Sequence, residues 1–226
     1  MSEAHHDHTH DGVKPGAEAG HYARRIRAIE ALLVEKGVLT REDVLSQIKY
    51  MEARSPANGA RLVARAWVDA KFKARFLSDT KAAAMELAID ASGPVEFVVV
   101  ENTPHVHNLI VCTLCSCYPR AILGRPPDWY KSFNYRSRAV KEPRAVMREF
   151  GFEPPEIVEV LVHDSTANMR YMVLPMRPPG TEGMGEEELA ELVTRDSLIG
   201  VSVPRQPIQA GWSHPIRATG VGTRGD

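Results

Sequence analysis

Apolar residues recur at helical spacing through the first third of the chain. Ile26, Ile29, Leu32 and Leu33 share one face of a stretch over residues 21–36, and Gly37 is a natural stop. Thr40-Arg41-Glu42-Asp43 has the form of a capping box, with Asp43 where Glu or Gln is usual. It opens a second helix through Val44, Leu45, Ile48 and Met51. Ser55-Pro56-Ala57-Asn58-Gly59 is a turn cluster. Helical stretches follow from Leu62 to Trp67 and beyond, and over residues 80–88 after Asp79.

The texture changes at Ser92-Gly93-Pro94. Residues 95–100 and 107–112 are short runs rich in β-branched residues, which predict strands. Pro126-Pro127 and Pro143 punctuate the middle, where residues 142–150 predict a helix closed by Gly151. Residues 157–162 and 170–174 predict a strand pair around a turn at 164–168, and residues 185–195 a last short helix. The expected class is α+β, an N-terminal helical arm followed by a layered α/β core. The expected divisions are a disordered His-rich arm at 1–20, a helical arm at 21–92, an α+β domain at 93–205 and a flexible tail at 206–226.

Composition narrows the function. A chain of 226 residues, 43% apolar, is long enough to bury a sizeable core. With 28 basic against 29 acidic side chains there is no electrostatic case for a nucleic-acid or membrane-surface partner. No run approaches the roughly 18 apolar residues of a membrane span. The start, Met-Ser-Glu-Ala-His-His-Asp-His, is unlike a secretory or mitochondrial presequence, so a cytoplasmic protein is expected. His5, His6, His8 and His10 read as a solvated tail whose imidazoles can collect stray divalent metal. Trp67, Trp129 and Trp212 are expected in the core or an interface.

The chain has three cysteines, all within Cys112-Thr113-Leu114-Cys115-Ser116-Cys117. An odd, clustered set without a signal peptide points to metal or redox chemistry. Three thiolates in six residues repel one another, so the loop asks for a cation, and the Cys-x-Cys step lets it wrap as a claw. Soft sulfur ligands alone leave zinc, copper(I), iron–sulfur and low-spin transition ions open. A structural zinc site lacks its second Cys-x-x-Cys knuckle, and an iron–sulfur cluster lacks its fourth cysteine. A thioredoxin-like Cys112-x-x-Cys115 has no role for the third thiol. His105 and His107 alternate on a strand, where they could add imidazoles or be ordinary hydrogen-bonded histidines.

Val111-Cys112-Thr113-Leu114-Cys115-Ser116-Cys117-Tyr118-Pro119 resembles the metal-binding loop of the nitrile hydratase α subunit, in its cobalt-type form. The resemblance extends to Glu101-Asn102-Thr103-Pro104, Val106-His107-Asn108, Pro126-Pro127-Asp128-Trp129-Tyr130-Lys131, Tyr135-Arg136-Ser137-Arg138 and Arg170-Tyr171-Met172-Val173-Leu174-Pro175, and covers residues 20–205. Thiocyanate hydrolase has a metal-bearing subunit with the same loop.

The resemblance implies one cobalt(III) per subunit, with iron(III) as the alternative. Cys112 is then an axial thiolate, Cys115 and Cys117 are equatorial sulfurs, and Ser116 and Cys117 supply ionised main-chain nitrogens. An ionised peptide nitrogen demands a strongly Lewis-acidic ion, which fits a trivalent metal better than zinc(II). Thr113 is the family's cobalt marker. The family pattern also implies Cys115 as sulfinate and Cys117 as sulfenate.

The implied reaction is hydration of a nitrile to an amide, with Cys117 attacking and Tyr118 supplying a hydrogen bond. The implied partners are a nitrile hydratase β subunit, an activator that loads the metal and a small-molecule nitrile. The helical arm is expected to wrap a partner or to cap its own core. Arginines facing the oxidised sulfurs come from the β subunit in the family, and Arg120 and Arg125 stand near the loop. Arg120-Ala121 replaces an aromatic and proline, Arg125 occupies an apolar place, and Asn168 replaces a second carboxylate after Asp164. The alternatives are the thiocyanate hydrolase subunit and a non-catalytic subunit holding zinc.

Overall fold

The computed structural model describes residues 17–207, with side chains from residue 20 onwards. The four histidines of the N-terminal tail and Trp212 lie outside the described residues. The described residues form eleven helices and four strands. No helix among them is long and apolar enough to cross a membrane.

The chain divides into two units, one ending at Glu52 and one beginning at Ala53. The first is a pair of helices, α1 (Ala17–Glu35) and α2 (Arg41–Glu52). The capping box forms with aspartate in place of glutamate. Thr40 N–H donates to Asp43 Oδ2 (2.8 Å), and Asp43 N–H donates to Thr40 Oγ1 (3.1 Å). The predicted apolar faces are present but uncovered: Ile26, Ile29, Leu32, Leu45, Ile48 and Met51 are all exposed.

In the second unit, α3 (Pro56–Val68), α4 (Ala70–Ser78) and α5 (Thr80–Glu86) precede β1 (Glu96–Glu101) and β2 (Val106–Val111). Asp69 and Asp79 separate the three helices and cap the ones they open, Asp69 accepting from Lys71 and Phe72 N–H and Asp79 from Ala82 N–H. Then come α6 (Arg120–Leu123), α7 (Asp128–Lys131), α8 (Phe133–Lys141) and α9 (Pro143–Glu149). Strands β3 (Glu159–Asp164) and β4 (Met169–Leu174) and helices α10 (Glu186–Leu192) and α11 (Arg195–Ile199) complete it. The core joins Leu62 and Val63 of α3, Phe72 and Phe76 of α4, Leu109 to Val111 of β2, Met172 to Leu174 of β4 and Leu198 of α11.

One expectation is corrected. β3 and β4 follow each other around a short turn, yet they are not a hairpin. β1 pairs with β4 and β2 with β3, both in parallel, as two two-stranded sheets. The reason lies in burial. β2 is buried at five of its six positions, so its backbone needs a strand partner where water cannot serve. β3 supplies that partner along the whole of β2, from Val106 opposite Glu159 to Val111 opposite Asp164.

Candidate metal centre

β2 delivers the cysteine loop. Its last residue, Val111, sits in register with Asp164 at the end of β3, and Ser165 N–H donates to Val111 O (2.7 Å). Cys112 follows immediately and is wholly buried. The chain then bulges outward through Thr113, Leu114 and Cys115, all exposed, and returns to the interior at Cys117 and Tyr118. Both ends of the loop are therefore anchored in the core while its crest faces solvent.

The bulge gathers the three sulfurs, which lie within 4.8 Å of one another. Cys115 Sγ is 3.5 Å from Cys112 Sγ and 3.1 Å from Cys117 Sγ. Cys115 N–H also points at Cys112 Sγ (3.4 Å). Burial, then the neighbouring thiols, push the Cys117 thiol up to about 12, while hydrogen bonds from Cys117 and Cys112 pull Cys115 down. One thiol thus ionises at the expense of the other, and a bound cation removes that conflict. The donor set is soft. With metal–sulfur bonds of about 2.3 Å, two sulfurs at a right angle about one ion stand roughly 3.3 Å apart, and at a tetrahedral angle roughly 3.8 Å. The separations of Cys115 Sγ from the other two sulfurs bracket the right-angle value, so Cys115 can share one ion with each of them.

Side chains from three other elements grip the loop. Thr113 donates twice to Asp164, from N–H to Oδ1 (2.9 Å) and from Oγ1 to Oδ2 (2.5 Å). Arg136 of α8 donates from Nη1 to Cys115 O (3.1 Å) and, more distantly, to Thr113 O (3.5 Å). Tyr130 OH donates to Cys117 O (2.9 Å), and Tyr135 OH to Ile110 O in β2 (2.5 Å). Tyr130 also meets Tyr118 edge-on at 5.1 Å and Tyr135 at 5.5 Å, so the loop rests on an aromatic wall.

Tyr118 is buried with its hydroxyl unpartnered, and burial raises its pKa. It therefore holds a free donor at the foot of the loop. Ser116 is half-buried at the crest, between Cys115 and Cys117. Arg120 and Arg125 are exposed, and among the described residues it is Arg136 that hydrogen-bonds to the loop. Arg136 and Tyr130 lie in stretches that carry the resemblance, but nothing in their spacing marks them as supports. Asn168 is exposed in the turn before β4, where its carbonyl accepts from Glu96 N–H (2.8 Å).

The histidines do not join the sulfurs. His107 is buried, with Nε2 2.7 Å from Gly200 O and Nδ1 3.2 Å from Asn102 Nδ2. That arrangement fits the neutral ring with its proton on Nε2, and burial pulls its pKa down. His107 lines a separate cavity of about 400 Å³, walled by Phe152 and by prolines that include Pro104, Pro154 and Pro175. Asn102 and Asn108 bond to each other, and Asn108 Oδ1 lies 2.8 Å from His163 Nε2. A polar seam therefore runs between the sheets. Trp67 and Trp129 pack against the core, and Trp67 Nε1 donates to Pro175 O (2.8 Å).

Comparison with known proteins bears on this geometry. The family model described as nitrile hydratase, alpha chain, matches residues 20–202. The low-molecular weight cobalt-containing nitrile hydratase subunit alpha of Rhodococcus rhodochrous is 53% identical over 190 residues, covering 83% of this chain and 91% of the relative. Thiocyanate hydrolase subunit gamma of Thiobacillus thioparus is 42% identical over 200 residues, covering 84% and 82%. Among solved structures, a recombinant thiocyanate hydrolase comprising partially-modified cobalt centers superposes with a TM-score of 0.75 at 40% identity, covering 83% of this chain and 91% of that one.

Proposed function

The chain belongs to the nitrile hydratase α-chain family, and from that premise we propose that it is the catalytic subunit of a cobalt nitrile hydratase. The observation that carries this reading is the set of three sulfurs within 4.8 Å of one another on a loop anchored at both ends. Cys112, Cys115 and Cys117 would hold the ion through sulfur, and Ser116 and Cys117 through main-chain nitrogen. The ion, when bound, supplies Lewis acidity that polarises the nitrile carbon.

The chain's own residues divide the remaining work. Cys115 is exposed and is the sulfur that dissolved dioxygen, as oxidant and oxygen source, would reach first, which supports sulfinate there and the lower sulfenate state on buried Cys117. The Cys117 oxygen, or a water it activates, attacks the carbon, and one water is added across R–C≡N to give R–C(=O)NH₂. The unpartnered Tyr118 hydroxyl orients the substrate or that water. Asp164, Arg136 and Tyr130 fix the loop so that this geometry survives turnover.

A nitrile hydratase β subunit completes the site and a metal-loading activator delivers the cobalt. The uncovered apolar faces of α1 and α2 support an obligate partner. The likeness to thiocyanate hydrolase subunit gamma favours one second reading, conversion of thiocyanate to carbonyl sulfide and ammonia. The test is to co-express the chain with its β subunit in cobalt and assay both substrates. Amide from acrylonitrile supports the first reading. Ammonia from thiocyanate without amide supports the second, and zinc without cobalt contradicts both.

A further inference from the structure

Arg136 faces the crest of the cysteine loop from α8. Its Nη1 donates to Cys115 O at 3.1 Å and to Thr113 O at 3.5 Å. Its Nε is buried without a hydrogen-bond partner. Among the described residues the ion pairs are made by other arginines and lysines, so no carboxylate neutralises this guanidinium. An uncompensated positive charge is thus aimed at main-chain oxygens, where a neutral donor would satisfy the hydrogen bond equally well.

The peptide to which that oxygen belongs gives the charge a purpose. Cys115 O is the carbonyl of the Cys115–Ser116 peptide, whose nitrogen is Ser116 N, one of the two main-chain ligands in the reading above. When that nitrogen bonds a metal it gives up its proton to solvent. The electron pair left behind spreads over N, C and O by the same resonance that makes a peptide planar. Cys115 O then carries a share of a full negative charge, and the hydrogen bond it accepts becomes charge-assisted from both sides. The other contacts have no such reach. Thr113 O belongs to the peptide of Leu114 N, and Tyr130 grips the carbonyl of the Tyr118 N peptide; neither nitrogen is a proposed ligand.

We propose that Arg136 is a positioning residue that stabilises the Ser116 amide nitrogen as a metal ligand by holding the negative charge its carbonyl oxygen acquires. The inference rests on the ligand assignment made under the proposed function. Arginine suits the task because its charge is permanent and its planar fork is held in one orientation.

The cobalt-loaded complex of the full chain with its β subunit tests this, in wild-type, Arg136→Lys and Arg136→Gln forms. This chain is grown on carbonyl-¹³C cysteine and joined to unlabelled β subunit, so that the label falls on the carbonyls of Cys112, Cys115 and Cys117. Isotope-edited infrared spectra are compared with and without metal, and the rate of cobalt loss to a chelator is followed. In the wild-type protein one labelled carbonyl band falls in frequency on metal binding. In Arg136→Gln that band moves again and cobalt is lost on the order of tenfold faster, the worth of one charged hydrogen bond. Arg136→Lys, which keeps the charge, stays near wild type.

Arg136→Gln with the wild-type band and loss rate overturns the proposal. So does faster loss with an unmoved band, which marks a structural role only. A wild-type spectrum with no lowered band removes the amide ligand itself and the inference with it.

Discussion

Thr113 meets Asp164 through both its backbone N–H (2.9 Å) and its hydroxyl (2.5 Å), and so binds the first residue of the loop's crest to the end of a neighbouring strand. The parallel register makes this contact inevitable. Asp164 stands opposite Val111, two residues before Thr113, so its carboxylate projects to where the chain leaves the sheet. Asp164→Ala is expected to lower cobalt affinity by about ten- to a hundred-fold, the usual cost of losing a residue that orients a metal ligand. Asp164→Asn, which keeps one acceptor, should fall between. Cobalt content by elemental analysis checks the order.

Tyr130 and Tyr135 anchor opposite ends of the same loop, one at Cys117 O and one at Ile110 O. Both rings are buried, so each phenylalanine replacement leaves a buried carbonyl short of a donor and should cost about 1–2 kcal/mol in thermal unfolding. Of the two, Tyr130→Phe should also speed cobalt loss, because its hydroxyl touches the proposed metal-binding segment.

His107 makes stability sensitive to mild acid. Burial first, and then Arg144, lower its pKa in the folded state, against the bond to Gly200 that raises it. The unfolded chain takes up the proton near the ordinary histidine value of about 6.5 while the folded chain resists. Stability is therefore level above that value and declines as pH falls toward the lowered folded pKa. His163, lowered by its own burial, adds to the same slope. Urea unfolding at pH 7 and pH 5.5 should show the loss, and His107→Gln should reduce it.

Gly200 ends α11 at φ +90°, and its carbonyl accepts from His107. A Cβ there would stand 2.0 Å from Asn108 O in β2, with backbone on both sides of the clash. Gly200→Ala combines strained φ with that overlap and is expected to cost at least about 2 kcal/mol. A lowered urea midpoint with loss of soluble protein would register it.

The cysteine loop was readable from sequence because it is one unbroken segment: six consecutive positions hold all three cysteines and need no tertiary knowledge. The first two helices were readable from apolar spacing, and the Thr40–Asp43 cap from its residue types. What holds the loop was not. Asp164 lies 51 residues from Thr113, Arg136 21 residues from Cys115 and Tyr130 13 residues from Cys117. Only the folded topology brings them together. The β3–β4 turn looked like a hairpin because local turn chemistry says nothing about which strand lacks a partner. Helix α8 escaped notice because Phe133, Val140 and its polar residues leave only Tyr135 and Ala139 buried, too few for a periodic signal.

The proposed centre is a single ion held by sulfur and ionised peptide nitrogen. Cobalt-edge X-ray absorption on the loaded complex addresses it directly. The expected spectrum is that of a six-coordinate, low-spin trivalent ion with mixed sulfur and nitrogen ligation and with oxidised sulfur on Cys115 and Cys117. A four-coordinate divalent ion surrounded by unmodified thiolates would contradict it.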